Sequence, residues 1–186
     1  MRPVPAISML VAGSLASASA FAVDYLTAEQ ARKLLFPAAT QWQERAVTLG
    51  AEQLQAVARS AGVAARSAAW TVTHARDEAD KYMGSVVVDQ VVGKFELITY
   101  AVGVNAAGAI TGIEILSYRE SHGSEIRLPA WRRQFAGKSL AQPIRVGEDI
   151  AVISGATLSC NHVTDGVRRI AAVLSVLREG GQLAAS

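Results

Sequence analysis

The sequence contains one cysteine, Cys160, in 186 residues. A lone thiol excludes an internal disulfide framework and any cysteine-based zinc site. The three histidines, His74, His122 and His162, are scattered without metal-ligand spacing, so no metal site is expected. Charge is also scarce, at 18% of residues against about 25% in average usage. With 51% hydrophobic residues, the chain is not intrinsically disordered. Eighteen Lys and Arg against sixteen Asp and Glu give +2, with no long basic run, so a nucleic-acid partner has no electrostatic footprint. A glycine-rich dinucleotide fingerprint is missing, and Ser154-Gly155 lacks the Gly-x-Ser-x-Gly frame of a serine-hydrolase elbow. There are no repeats and no internal boundary, and the length suits one domain.

The start of the chain reads as a targeting segment. Arg2 is the only charge before Asp24, and Ile7 to Ala22 is rich in Ala, Leu, Val and Ser. That run is too short to span a bilayer as about 20 strongly apolar residues would. It ends in Ala20-Phe21-Ala22, a small-x-small cleavage pattern. Residues 1–22 are therefore expected to be a signal peptide, and 23–186 a single domain exported to a periplasm. Without Arg2 the mature chain carries 17 basic and 16 acidic residues. A lone cysteine suits that oxidising compartment.

The mature chain reads as α+β: a mostly antiparallel sheet with N-terminal helices and a long C-terminal helix. Thr27-Ala-Glu-Gln30 is a capping box before Ala31, Leu34 and Leu35, and Pro37 stops that helix. A second helix is expected over 51–61, ended by Gly62, while 41–48 is ambiguous between helix and strand. From Ala69 the period becomes two. Strands are expected over 86–92, 95–104 and 109–117, joined by Gly93-Lys94 and Asn105–Gly108 turns as a meander. A polar loop, 118–128, precedes a short helix opened by Pro129 that carries Trp131 and Phe135, both read as core. Residues 143–153 are expected to be extended. In the last helix, from about Leu158 to Arg178, Val163, Val167, Ile170, Ala171, Leu174 and Leu177 form one apolar stripe.

Between these last two segments stands Ser154-Gly155-Ala156-Thr157-Leu158-Ser159. Small residues at a helix start form a tight turn, and Gly155 and Ala156 let a bulky group approach the backbone. The first N–H groups of a helix have no internal partners and lie at the positive dipole end, so they suit phosphate. Residues Leu158–Asn161 are expected to supply them, and Thr157 adds a hydroxyl.

These residues resemble the signature of the FMN-binding domain family, which includes flavin-carrying subunits of Rnf-type electron-transport complexes and of the sodium-translocating NADH:quinone reductase. The signature is Ser/Thr-Gly-Ala-Thr before a helix, matched by Ser154, Gly155, Ala156 and Thr157. Upstream, Asn105-Ala-Ala-Gly108 resembles the family's Asn-x-x-Gly turn. Glu120-Ser121-His122-Gly123 stands where the family has a Glu-Thr-Pro-Gly-like loop, and Trp131 with Phe135-Ala-Gly137-Lys138 follows. The resemblance spans about residues 82–177. It departs at Ala151, where the family often has aspartate six residues before the threonine; Asp149 is the nearest acid, on the same face if that segment is a strand.

The resemblance implies FMN carried on Thr157 through a phosphoester bond, which a separate magnesium-dependent flavin transferase makes. It implies cofactor contacts from Ser154, Gly155, Ala156, Leu158, Ser159, Glu120, Ser121 and Gly123. It also implies electron transfer with a membrane or periplasmic redox partner. No catalytic residue is assigned, and an electron carrier is favoured over a stand-alone enzyme. Two alternatives stay open, a flavin-dependent reductase of a small acceptor and a flavin-free binding or structural module of the same fold.

Overall fold

The structure is a computed structural model and describes residues 25–183; the expected signal peptide, 1–22, lies outside the described residues. Helix α1 (Ala28–Leu35) begins at the expected capping box: Gln30 N–H donates to Thr27 Oγ1 at 3.1 Å, and Thr27 N–H donates to Gln30 Oε1 at 2.8 Å. Both orphan donors are thus satisfied reciprocally. The ambiguous segment is strand β1 (Gln41–Thr48). Helix α2 (Ala51–Ala61) ends at Gly62, whose φ of +68° is the left-handed cap a glycine supplies most readily. Then come β2 (Ala69–Arg76), β3 (Tyr82–Val92), β4 (Leu97–Asn105) and β5 (Ile110–Tyr118). Short helix α3 (Pro129–Arg132) lies between 3-10 turns at Ser124–Arg127 and Arg133–Phe135, and α4 (Thr157–Glu179) closes the chain.

The strands pair antiparallel in the order β1-β2-β3-β4-β5, a five-stranded meander. The β4–β5 turn closes through Asn105, whose Oδ1 accepts from Ala107 N at 3.0 Å and Ala109 N at 2.9 Å. This is the side chain mimicking a backbone turn. Helices cover both faces of the sheet. On one face Ala31, Leu35 and Phe36 pack against Ala75, Val86, Ala101 and Leu116. The other face carries α2 and α4, with Val57, Val163, Val167, Ile170, Leu174 and Leu177 against Val72, Val87, Val91 and Tyr100. Because both faces are covered, β4 is buried continuously from Tyr100 to Val104 rather than on alternate residues.

Helix α4 is buried more widely than one stripe, since Ala172 and Val173 are fully buried too. It approaches the sheet closely at Gly166, where a Cβ would stand 1.9 Å from Tyr100 Oη. Arg169 is also buried; its Nε donates to Ala64 O at 2.7 Å, and its Nη1 stands 3.9 Å from Asp89.

Residues 143–153 do not form the extended segment expected. The chain turns at Ile144, with φ +44°, and at Gly147, with φ +86°. Asp149 holds this turn by accepting from Ile144 N at 3.0 Å and Arg145 N at 2.6 Å, and it pairs with Lys138 Nζ at 2.9 Å. Backbone donors satisfied locally by a carboxylate have no need of a strand partner. Asp149 and Ala151 therefore do not share a strand face. The 95–104 strand is also shorter than expected: β4 starts at Leu97, leaving Phe95 on the turn.

Candidate functional site

Three connections meet at the start of α4: the β3–β4 tip (93–96), the loop after β5 (119–123) and the turn before α4 (153–156). Tyr118, at the end of β5, anchors the second of these. Its Oη donates to His122 O and lies 3.5 Å from Ser159 Oγ. Burial pushes the Tyr118 phenol pKa up, so it stays a protonated donor at neutral pH. The loop then turns at Gly123, with φ +82°. A Cβ there would stand 2.0 Å from Ala156 Cβ, so the loop rests directly on the motif.

The turn before α4 is fixed by its backbone. Ala156 N–H donates to Ile153 O at 3.0 Å, and Cys160 N–H to Ala156 O at 2.9 Å. Further back, Trp131 Nε1 donates to Ala151 O and Ala151 N–H to Gln134 Oε1, both at 2.8 Å, tying the approach to the buried Trp131–Phe135 pair. Gly155 has φ +80° and open space where a Cβ would point, so it serves conformation as well as access. Ala156, by contrast, is buried under Gly123. Ala156 is the N-cap and Thr157 the first helical residue. The unpaired donors are thus the N–H groups of Thr157, Leu158 and Ser159, one position earlier than expected. Thr157 is exposed, and its hydroxyl makes no hydrogen bond among the described residues.

The third wall is the β3–β4 tip. Glu120 Oε1 accepts from Phe95 N at 2.6 Å and Glu96 N at 3.0 Å. Partial burial raises the Glu120 pKa, but the backbone donors of Glu96, Phe95 and Lys94 and the Lys94 ammonium outweigh it and hold the carboxyl below its ordinary range. Gly93 sits under this contact, where a Cβ would meet Glu120 Oε1 at 2.5 Å and Ser159 Oγ at 3.0 Å.

Together these elements enclose a cleft of about 420 Å³ lined by Lys94, Phe95, Glu120, Ser121, His122 and residues 155–159. That volume lies within the usual range for small-molecule sites. Of the expected site residues, Glu120, Ser121, Gly155, Ala156, Thr157, Leu158 and Ser159 line it. Gly123 supports the turn from behind, and Ser154 is exposed outside the lining. His162 stays out as well, its Nδ1–H donating to Val92 O at 2.6 Å. Cys160 is fully buried, and burial pushes its thiol pKa up. Lys94 and Phe95 are cleft residues that the sequence pattern places only in a turn and a strand; a phenylalanine beside a Gly-Lys turn is the signal that could have found them. Another cleft, of about 220 Å³, lies near the far end of α4 between Tyr82, the 105–108 turn and Arg178, and holds none of the motif residues.

Residues 93–172 match the FMN-binding domain family. Among solved structures, the crystal structure of NqrC from Shewanella oneidensis is similar over 75% of this chain and 85% of that chain, with a TM-score of 0.54 and 18% identity. At that identity the likeness is one of fold. No curated protein matches the chain. The three walls of the cleft, from Gly93 through the start of α4, all fall inside the span of the chain that matches the FMN-binding domain family.

Proposed function

We propose that this protein is an exported flavoprotein that carries FMN on Thr157 through a phosphoester and passes electrons between redox partners. The observation that carries this reading is the placement of Thr157. It is an exposed hydroxyl on the first residue of a 23-residue helix, facing a cleft within the span that matches the FMN-binding domain family. The donor set fits the group. The N–H groups of Thr157, Leu158 and Ser159 and the helix dipole favour a phosphate by about 0.3–1 kcal/mol where exposed. The open space at Gly155 leaves that approach clear, and Phe95 and Leu158 give the cleft apolar surface for a ring system. When bound, FMN supplies the redox chemistry; the protein contributes position and electrostatics. Lys94 is the cation that lines the cleft.

Export supports the covalent link, because a dissociated cofactor outside the cytoplasm has no local pool to replace it. A flavin transferase makes the bond, and a membrane or periplasmic redox partner exchanges electrons. Intact mass of the protein exported from a host with the transferase tests the whole reading. The expected species begins at Val23 and carries one FMN moiety joined through its phosphate, a mass gain of FMN less one water. A mass starting at Met1 removes the signal peptide, and an unmodified mass despite active transferase and magnesium removes the covalent cofactor.

A further inference from the structure

Phe95 is the only exposed Phe, Tyr or Trp among the described residues, with 74% of its surface accessible, and it lies on a cleft wall. An exposed phenylalanine at a hairpin tip contributes nothing to the core. Yet this tip is held firmly. Gly93 N–H donates to Glu96 O at 2.8 Å, closing the turn, and Glu120 Oε1 takes the next two donors, Phe95 N and Glu96 N. The absent side chain of Gly93 lets the Glu120 carboxylate and Ser159 approach it together. The tip is thereby bonded to the 119–123 loop and lies close to the first turn of α4, with an aromatic ring presented at the cleft that Thr157 lines. Leu158, 47% exposed, adds apolar surface to the same cleft.

We propose that Phe95 is the contact surface for the isoalloxazine ring of the cofactor, and that Glu120 is a positioning residue that holds Phe95 in place through the backbone. This rests on the reading of an FMN tethered at Thr157. The ring system is apolar, flat and aromatic, and an aromatic side chain gives it an offset-stacked or edge-on partner with little further ordering. Glu120 then acts through two hydrogen bonds to the tip, from Phe95 N and Glu96 N.

The test uses the full-length exported protein made with the transferase, in wild-type form and as F95W, F95A, E120A and E120Q. Flavin fluorescence is measured folded and after unfolding in urea, where a tethered flavin stays attached. Accessibility to iodide is measured on the folded forms. The F95W variant is expected to lose fluorescence several-fold when folded and to regain it on unfolding, because indole in contact with a flavin quenches it. The F95A variant should show a several-fold larger iodide quenching constant than wild type. E120A should reproduce F95A, whereas E120Q, which keeps an acceptor oxygen at the same place, should resemble wild type. Circular dichroism checks that folding is retained, which the exposure of Phe95 favours. Flavinylated F95W and F95A that match wild type in both measurements overturn the contact; E120A that matches wild type overturns the positioning role alone. Wild type without a fluorescent band on a denaturing gel overturns the tethered-cofactor reading, and this inference falls with it.

Discussion

Replacing Thr157 by alanine isolates attachment from stability, because the Thr157 hydroxyl caps nothing. The N-cap is Ala156, and Thr157 is exposed at the first helical position. The variant should lose flavin fluorescence on a denaturing gel while its stability stays within about 0.5 kcal/mol of the unflavinylated wild type. Retained fluorescence would place the bond elsewhere. A different residue controls acid stability. His74 is 1% exposed in β2; its Nδ1 lies 3.0 Å from Ser85 Oγ, and its Nε2 has no partner. Burial, helped by the Arg45 and Arg76 guanidiniums, holds its pKa down at about 4. As pH falls below the ordinary value of about 6.5, the unfolded chain takes up this proton first. Stability therefore declines between about pH 6.5 and about 4, by at most about 1.4 kcal/mol per unit. His74→Leu should flatten that slope in urea titrations at pH 4.5 and 7. Ser85 remains satisfied in the variant by Tyr82 Oη at 2.7 Å. An unchanged slope would assign the acid sensitivity to other groups. The alternation of Trp70, Val72 and His74 already marks His74 as structural, but its missing partner and its cationic neighbours are facts of packing.

At the scale of elements, the site depends on how one loop sits on one turn. Gly123 has φ +82° and touches Ala156, so Gly123→Ala adds a left-handed strain of roughly 1–3 kcal/mol and a clash with the turn. The loop must lift, taking Glu120 and His122 with it. The variant should keep its far-UV circular dichroism, since the sheet and α4 do not pass through Gly123, yet be flavinylated much less than wild type by the same transferase. Equal flavinylation would show that loop seating does not matter for attachment. Much of this level is legible in the chain. The capping box at Thr27, the Asn105 turn and the α4 periodicity depend on neighbours within a few residues, and each lies where its residues put it. What reads poorly depends on distant partners or on competition. Residues 143–153 look extended until Asp149 captures two nearby N–H groups and Lys138. Phe95 looks like a strand residue until Glu120, 25 positions away, takes its N–H. Ambiguous 41–48 becomes a strand because β2 offers it an edge to pair with.

At the scale of the whole molecule, electrostatics would leave the charge of a phosphate tethered at Thr157 legible. The full chain carries a formal +2, so no large background field masks a local phosphate. A phosphoester at the start of α4 adds negative charge beside the unpaired N–H groups of residues 157–159, at the positive end of the 23-residue helix dipole. The fold should gain from it. With about 0.3–1 kcal/mol available and a chain of this size, flavinylated protein should melt roughly 1–4 °C above the same sequence made without transferase. Ring contacts in the cleft would add to that figure, and salt separates the two contributions. The dipole share is screened as the Debye length contracts from about 10 Å at 0.1 M to 3 Å at 1 M, whereas burial of an apolar ring is not. The melting difference should therefore shrink but not vanish between low salt and 1 M NaCl. Comparing one sequence in two modification states removes any effect of substitution at Thr157. Equal melting temperatures at low salt would show that the helix start gives the phosphate no stabilisation, leaving the tether to be held by its covalent bond and the cleft walls alone.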